Sequence, residues 1–157
     1  MRNVKTFPLR GPINGIWTNE SKQPSVNWKS YMDGHGEVPY YGVAIPEGIL
    51  IIDVDSAKDT SIDYLKELSN LASEQIDWGT AIIQHTPSGG AHYAFEMPLN
   101  VNLEQRSLMK NVDVRIGGKG YIATGPNYDR IVEAEPVEYL LETKEFFPLP
   151  SKFIKML

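Results

Sequence analysis

Three short segments alternate apolar and functional side chains with a period of two, and this limits the fold more than any other feature of the chain. Residues two apart on a strand share a face. In ILIIDVD (49–55), Asp53 and Asp55 share a face with Ile51, while Leu50, Ile52 and Val54 line the other. In AHYAFEM (91–97), His92, Ala94 and Glu96 lie opposite Tyr93, Phe95 and Met97. In NVDVRI (111–116), Asn111, Asp113 and Arg115 lie opposite Val112, Val114 and Ile116. Each strand thus has one apolar face and one face bearing polar groups. A sheet packed on helices, with its other face open, accounts for the pattern, and neighbouring strands would merge their polar faces into one site.

The remaining elements fit an α/β chain. Residues 1–42 are rich in Gly, Pro, Asn and Trp and read as irregular structure. A strand runs over 43–55. Asp59 or Thr60 is expected to cap a helix whose core stripe is Ile62, Leu65, Leu68 and Leu71. Strands follow over 79–85 and 91–97, separated by the TPSGG turn. A short helix is expected over 102–110, then the NVDVRI strand, a GGKG turn and the YIATGP strand. DRIVE reads as a further strand, PVEYLLE as a short helix, and SKFIKML as an amphipathic end. Trp17, Trp28 and Trp78 read as packing residues ahead of base-stacking ones, His35 as a loop residue, and His85 as a residue at the edge of TPSGG that is not expected to touch substrate.

Composition narrows the chemistry. The chain has 157 residues, enough for one domain with a real core. Its net charge of −5 argues against coating nucleic acid by bulk charge. It has no cysteine, so disulfides and thiolate metal sites are excluded. No apolar run approaches the roughly 18 residues of a membrane span, and the N-terminus lacks an apolar signal core. The expectation is a soluble, cytoplasmic protein.

The polar faces suggest a specific chemistry. Asp53, Asp55 and Asp113 pointing together would repel one another, and a divalent cation is the natural offset. Oxygen-only ligands suit Mg²⁺ or Mn²⁺. On this reading, removing one charge by Asp53→Asn leaves the metal-free protein no weaker. Ser88, Gly89 and Gly90 offer a hydroxyl and backbone N–H groups to a phosphate. His92 could donate to a phosphate oxygen, and Arg115 could add a cationic fork. Taken singly, each has a plainer reading: Asp-x-Asp as a turn signal, Ser-Gly-Gly as a hairpin, His92 as a structural histidine, Asp113 as a solvated strand residue. Their combination and order carry the weight.

These residues resemble the primase-polymerase branch of the archaeo-eukaryotic primase superfamily, found at the N-terminus of phage, plasmid and prophage replication proteins. The resemblance spans about residues 16–130. It is carried by KQPSVNWKSY, YGVAIPEGILIIDVD, TPSGGAHYAF and NVDVRIGGKGYIATGPN. It implies an α/β (α+β) catalytic core, with a sheet like an RNA-recognition motif and a small N-terminal lobe, over a single domain at 1–157. It implies metal binding by Asp53, Asp55 and Asp113. Nucleotide binding would fall to Ser88, Gly89, Gly90, His92, Arg115 and Lys22, although Lys22 sits in a Lys-x-Pro that can also simply shape the lobe. The implied activity is template-directed nucleotidyl transfer by a two-metal mechanism, using dNTP or NTP and a single-stranded DNA template or primer-template. The implied setting is a bacterial, archaeal or phage-infected cell, and larger members continue into a helicase. Two other functions fit the same residues. One is a catalytically inactive module that binds nucleotide or single strand and recruits a replicative helicase. The other is a metal-dependent phosphodiesterase, which would not need the Ser-Gly-Gly-x-His pocket.

Overall fold

The β-branched run of Ile49–Val54 forms the strand on which the larger sheet is built. In this computed structural model the described residues are 1–98, 101–131 and 135–157. In chain order the strands are β1 (Thr6–Pro8), β2 (Tyr41–Ala44), β3 (Ile49–Val54), β4 (Ile82–His85), β5 (Ala91–Glu96), β6 (Arg106–Met109), β7 (Val112–Ile116), β8 (Tyr121–Thr124) and β9 (Asp129–Arg130). The α-helices are α1 (Tyr64–Ala72), α2 (Trp78–Ala81), α3 (Val137–Thr143) and α4 (Ser151–Met156). They form an α+β fold with a six-stranded sheet of order β6-β7-β3-β5-β4-β9 and a three-stranded sheet of order β1-β2-β8. All named pairings are antiparallel.

Both faces of the large sheet are packed. Leu50, Ile52, Val54, Tyr93, Phe95, Val112, Val114 and Ile116 bury one face against Tyr64, Leu68 and Ala72 of α1 and Phe153 of α4. Ile49, Ile51, Ile83 and Ala94 bury the other against Val43 of β2, Ile122 of β8, and Val137, Leu140 and Leu141 of α3. The face expected to be open is therefore covered along most of its length by the small sheet and α3. The end carrying Asp53, His92 and Asp113 is left to a cleft.

Several expected elements differ for identifiable reasons. The strand expected over 43–55 is two strands in different sheets, because Pro46, which has no N–H to donate, sits in the turn between them. The helix expected over 102–110 is instead the edge strand β6. Leu, Glu, Gln, Met and Lys favour helix there, but pairing with β7 overrides local propensity. The N-cap of α1 is Asp63, whose carboxylate accepts from the Lys66 N–H at 3.2 Å; Asp59 instead accepts from the N–H and hydroxyl of Ser61. Ile62 precedes the helix and Leu71 faces solvent, so the buried stripe is Tyr64, Leu68 and Ala72, with Leu65 partly covered. The strand expected over 79–85 begins as α2, capped by Asp77, and extends only from Ile82. The irregular stretch 1–42 contributes β1 and the start of β2. β9 lies in the expected DRIVE strand, of which residues 132 and 133 are outside the described residues.

The corrected stripe is testable by urea denaturation. Leu68→Ala should cost about 2–5 kcal/mol, because the side chain is wholly buried and leaves a cavity. Leu71→Ala should stay within about 0.5 kcal/mol, as exposed substitutions do. Equal losses would restore the stripe expected from periodicity.

Candidate functional site

Antiparallel register aligns the polar residues in one row. Asp53 of β3 lies directly opposite His92 of β5 on one side and Asp113 of β7 on the other. Gln84 of β4 stands opposite His92. Asp55 follows the end of β3, its N–H bonded to the Asn111 carbonyl at 2.8 Å. The row opens into a cleft of about 560 Å³, whose lining includes Asp53, Asp55, Asp113, His92, Arg115, Ser88 and Lys22.

Both oxygens of Asp53 are engaged. Oδ1 lies 3.3 Å from Nε2 of His92. Oδ2 accepts from Nε and an Nη of Arg115 at 3.1 and 3.0 Å. Burial alone would raise the Asp53 carboxyl, but the hydrogen bond from His92 and then the Arg115 guanidinium outweigh it. They hold it well below the usual carboxylate range. Arg115 also reaches Asp113 at 3.8 Å and so stands between the two carboxylates. The repulsion expected at Asp53 is thus already offset by protein groups. Asp53→Asn is accordingly expected to weaken the metal-free protein, the reverse of what the sequence suggested.

Asp55 is held differently. Oδ2 pairs with Lys58 at 3.3 Å, while Oδ1 is buried with no hydrogen-bond partner among the described residues. A buried carboxylate oxygen without a donor is costly and suits a cation. The donor set, all carboxylate oxygen, also fits Mg²⁺ or Mn²⁺. Among the described residues, no three His, Cys, Asp or Glu side chains are gathered closely enough to hold an ion. As a metal ligand Asp53 would share its oxygens with Arg115 and His92 or be released by one of them.

His92 is buried, and its tautomer follows from Gln84. The Gln84 amide donates to the Ala123 carbonyl at 2.9 Å and lies 2.8 Å from Nδ1 of His92, while its carbonyl oxygen accepts from the Thr124 hydroxyl at 2.9 Å. With the amide oxygen committed to Thr124, the amide nitrogen donates to both partners. Nδ1 is then the acceptor, and Nε2–H points at Asp53. Gln84 and Thr124 are themselves buried. Sequence reasoning missed Gln84 because strict alternation puts it on the face opposite Ile83. A register shift between Ile82 and Gln84 turns it toward His92.

The TPSGG turn is closed on itself. Gly89 N–H donates to the Thr86 carbonyl at 3.0 Å and Gly90 N–H to the Thr86 hydroxyl at 3.0 Å. The two N–H groups offered to a phosphate are therefore bonded within the turn. The Ser88 hydroxyl, 3.2 Å from that of Thr86, remains at the cleft. Gly90 is required by close approach, since a Cβ there would collide with the Val54 carbonyl of β3. Asn111 sits in the β6–β7 turn at φ 67°, and its amide donates to the Tyr64 hydroxyl at 2.9 Å. Lys22 also lines the cleft, its carbonyl accepting from the Tyr121 hydroxyl at 3.3 Å. Tyr128, not singled out from sequence, also lines the cleft; burial raises its phenol, and the Asp53 charge adds to the rise. His85 is exposed, and His35 stacks on Tyr41 with centroids 3.8 Å apart, away from the cleft lining.

Two antiparallel sheets, few helices and a cleft that gathers Asp53, Asp55 and Asp113 with Arg115, Lys58 and Lys22 match an α+β domain of the primase-like class. The chain belongs to the family described as bifunctional DNA primase/polymerase, N-terminal, whose model matches residues 2–152. Membership carries DNA primase/polymerase activity as the general function, with nucleotide and DNA as the substrates it suggests. No curated protein matches the chain. No helix among the described residues is long and apolar enough to cross a membrane.

The anchoring of Asp53 predicts a pH dependence. Its carboxyl lies lower in the folded than in the unfolded chain, so the unfolded chain binds the extra proton as acid is added. The stabilisation is present above the ordinary carboxylate value, about 3.9, and is lost as pH falls toward the native one. In EDTA at pH 7, Asp53→Asn should cost about 1–3 kcal/mol. The gap from wild type should close as pH drops below about 4. A gap that stays constant down to pH 3, or no gap at pH 7, would show that Arg115 and His92 do not anchor this charge.

Proposed function

We propose that the cleft performs template-directed nucleotidyl transfer, as primase, polymerase or both, by a two-metal mechanism. Asp53, Asp55 and Asp113 would hold the ions. The observation that carries this reading is the partnerless buried Oδ1 of Asp55, next to the register row of Asp53 and Asp113. Mg²⁺ or Mn²⁺, when bound, would lower the pKa of the attacking hydroxyl and neutralise charge on the transferring phosphate.

The protein's own groups would do the rest. Arg115, about one-third exposed, would turn from Asp53 to the triphosphate and so free a carboxylate oxygen. The Nε2–H of His92, kept as a donor by Gln84, would bind a phosphate oxygen. The Ser88 hydroxyl would add a second donor, with Gly89 and Gly90 setting the shape of the turn. Lys22, also in the cleft lining, would contribute a charge to the phosphates or to the strand. The substrates would be dNTP or NTP with a single-stranded or primed DNA template, in the cytoplasm of a bacterial, archaeal or phage-infected cell. A helicase, as a further domain or a subunit, would be the partner in replication.

One observation favours the second reading, a nucleotide- or strand-binding module that recruits a helicase. Asp53 is fully engaged by Arg115 and His92 rather than gathered with Asp55 and Asp113. Primer extension separates the two. With Mg²⁺ or Mn²⁺, dNTPs and a primed template, the wild-type protein should extend. Asp55→Asn and Asp113→Asn should each lose about 10³-fold or more in rate, as expected when a metal ligand worth several kcal/mol is removed. Extension at the wild-type rate in both variants would end the catalytic reading. A wild type inert with either metal, with NTPs as with dNTPs, would leave the binding module.

A further inference from the structure

The N-terminal lobe carries a hydrogen-bonded finger that the site above does not use. Ile13 and Ile16 exchange both backbone hydrogen bonds at 2.9 Å. Asn14 and Gly15 between them stand at φ 50° and 77°, the two positive values a type I′ hairpin requires. Ile13 and Ile16, paired across this turn, are 53% and 66% exposed. Trp17, expected to be a packing residue, is 41% exposed and meets Tyr40 edge-on at 5.0 Å. Water-facing apolar and aromatic groups on a fixed turn point to a partner.

Charge indicates which kind. The first 30 residues hold five Lys or Arg and a single acid, Glu20, whereas the whole chain is at −5. Arg2 and Lys5 of these five are bonded to backbone carbonyls. Arg10, Lys22 and Lys29 are in no ion pair among the described residues. Backbone bonds from Arg10 N–H to Gln23 and from Lys22 N–H to Arg10 hold the base of the finger together. Lys22, whose ammonium lies 5.3 Å over the Trp17 ring, and Gln23 also line the cleft. A continuous path of stacking surface and cations thus leads from the finger to the acidic row. An anionic strand repelled by the rest of the chain can approach along it.

We propose that this finger is a docking platform for single-stranded nucleic acid. Trp17, with Ile13 and Ile16, stacks unpaired bases, and Arg10 and Lys22 contact the backbone phosphates as the strand enters the cleft. The inference rests on the polymerase reading for the direction of the strand, but the platform itself is measured without catalysis.

The test is fluorescence anisotropy of a labelled oligothymidylate across a salt series. Trp17→Ala should weaken binding about ten-fold, and Trp17→Phe should recover most of it, because a phenyl ring also stacks. Arg10→Ala, at an exposed side chain with no folding role, should lower the salt slope by about one. Arg10→Ala should not change the melting shift produced by Mn²⁺ with dNTP, since Arg10 does not line the cleft. Undiminished strand affinity in both Trp17→Ala and Arg10→Ala overturns the platform and leaves the apolar tip to a protein partner. If the wild type never extends a primer but its strand binding depends on Trp17 and Arg10, the polymerase reading fails and the platform stands.

Discussion

The charged carboxylate of Asp53 is the constraint around which the rest is arranged. It sits at the end of the central strand, four-fifths covered, where an unpaired charge would not be tolerated. Arg115 from one neighbouring strand and His92 from the other satisfy it. Both contacts depend on register. A one-residue slip of β5 or β7 would turn His92, or Asp113 and Arg115, into the apolar layer beneath. The same pairing that buries Leu50, Ile52 and Val54 therefore assembles the polar row above them.

The two sheets meet at this row as well as at the second core. Gln84 of the large sheet is bonded to Ala123 and Thr124 of β8, which belongs to the small sheet. The lobe that bears Lys22 is tied to β8 through the Tyr121 hydroxyl. His92 is thus oriented by a buried amide that also joins the layers. A polar network of this kind fixes geometry when every member is satisfied. In this one, Thr124, Gln84, His92 and Asp53 all have partners. At the edge of this network, Asp55 Oδ1 is buried without a hydrogen-bond partner among the described residues.

Much of this was legible in the sequence. Period-two alternation put Asp53, His92, Asp113 and Arg115 on one face, and antiparallel pairing brings them together as that pattern requires. Less legible was whatever depends on a break in period or on tertiary pairing. The bulge hid Gln84, and the composition of 102–110 disguised an edge strand as a helix. The helix stripe was shifted because its first apolar residue, Ile62, precedes the cap at Asp63. Covering of the second sheet face could not be read from alternation, since β2, β8 and α3 come from distant parts of the chain. Nor could the pairing of Arg115 with Asp53, which supplies by protein charge what the pattern had assigned to a metal alone.

The central claim is that Asp53, Asp55 and Asp113 form one cation site that completes itself when a triphosphate draws Arg115 away. The most direct measurement is Mn²⁺ binding followed by electron paramagnetic resonance of the free ion, with and without dNTP. The account predicts weak Mn²⁺ uptake alone and tighter uptake with dNTP, competed by Mg²⁺ and lost on replacing any of the three aspartates with asparagine. Mn²⁺ uptake that is indifferent to dNTP and unchanged in all three variants would contradict it.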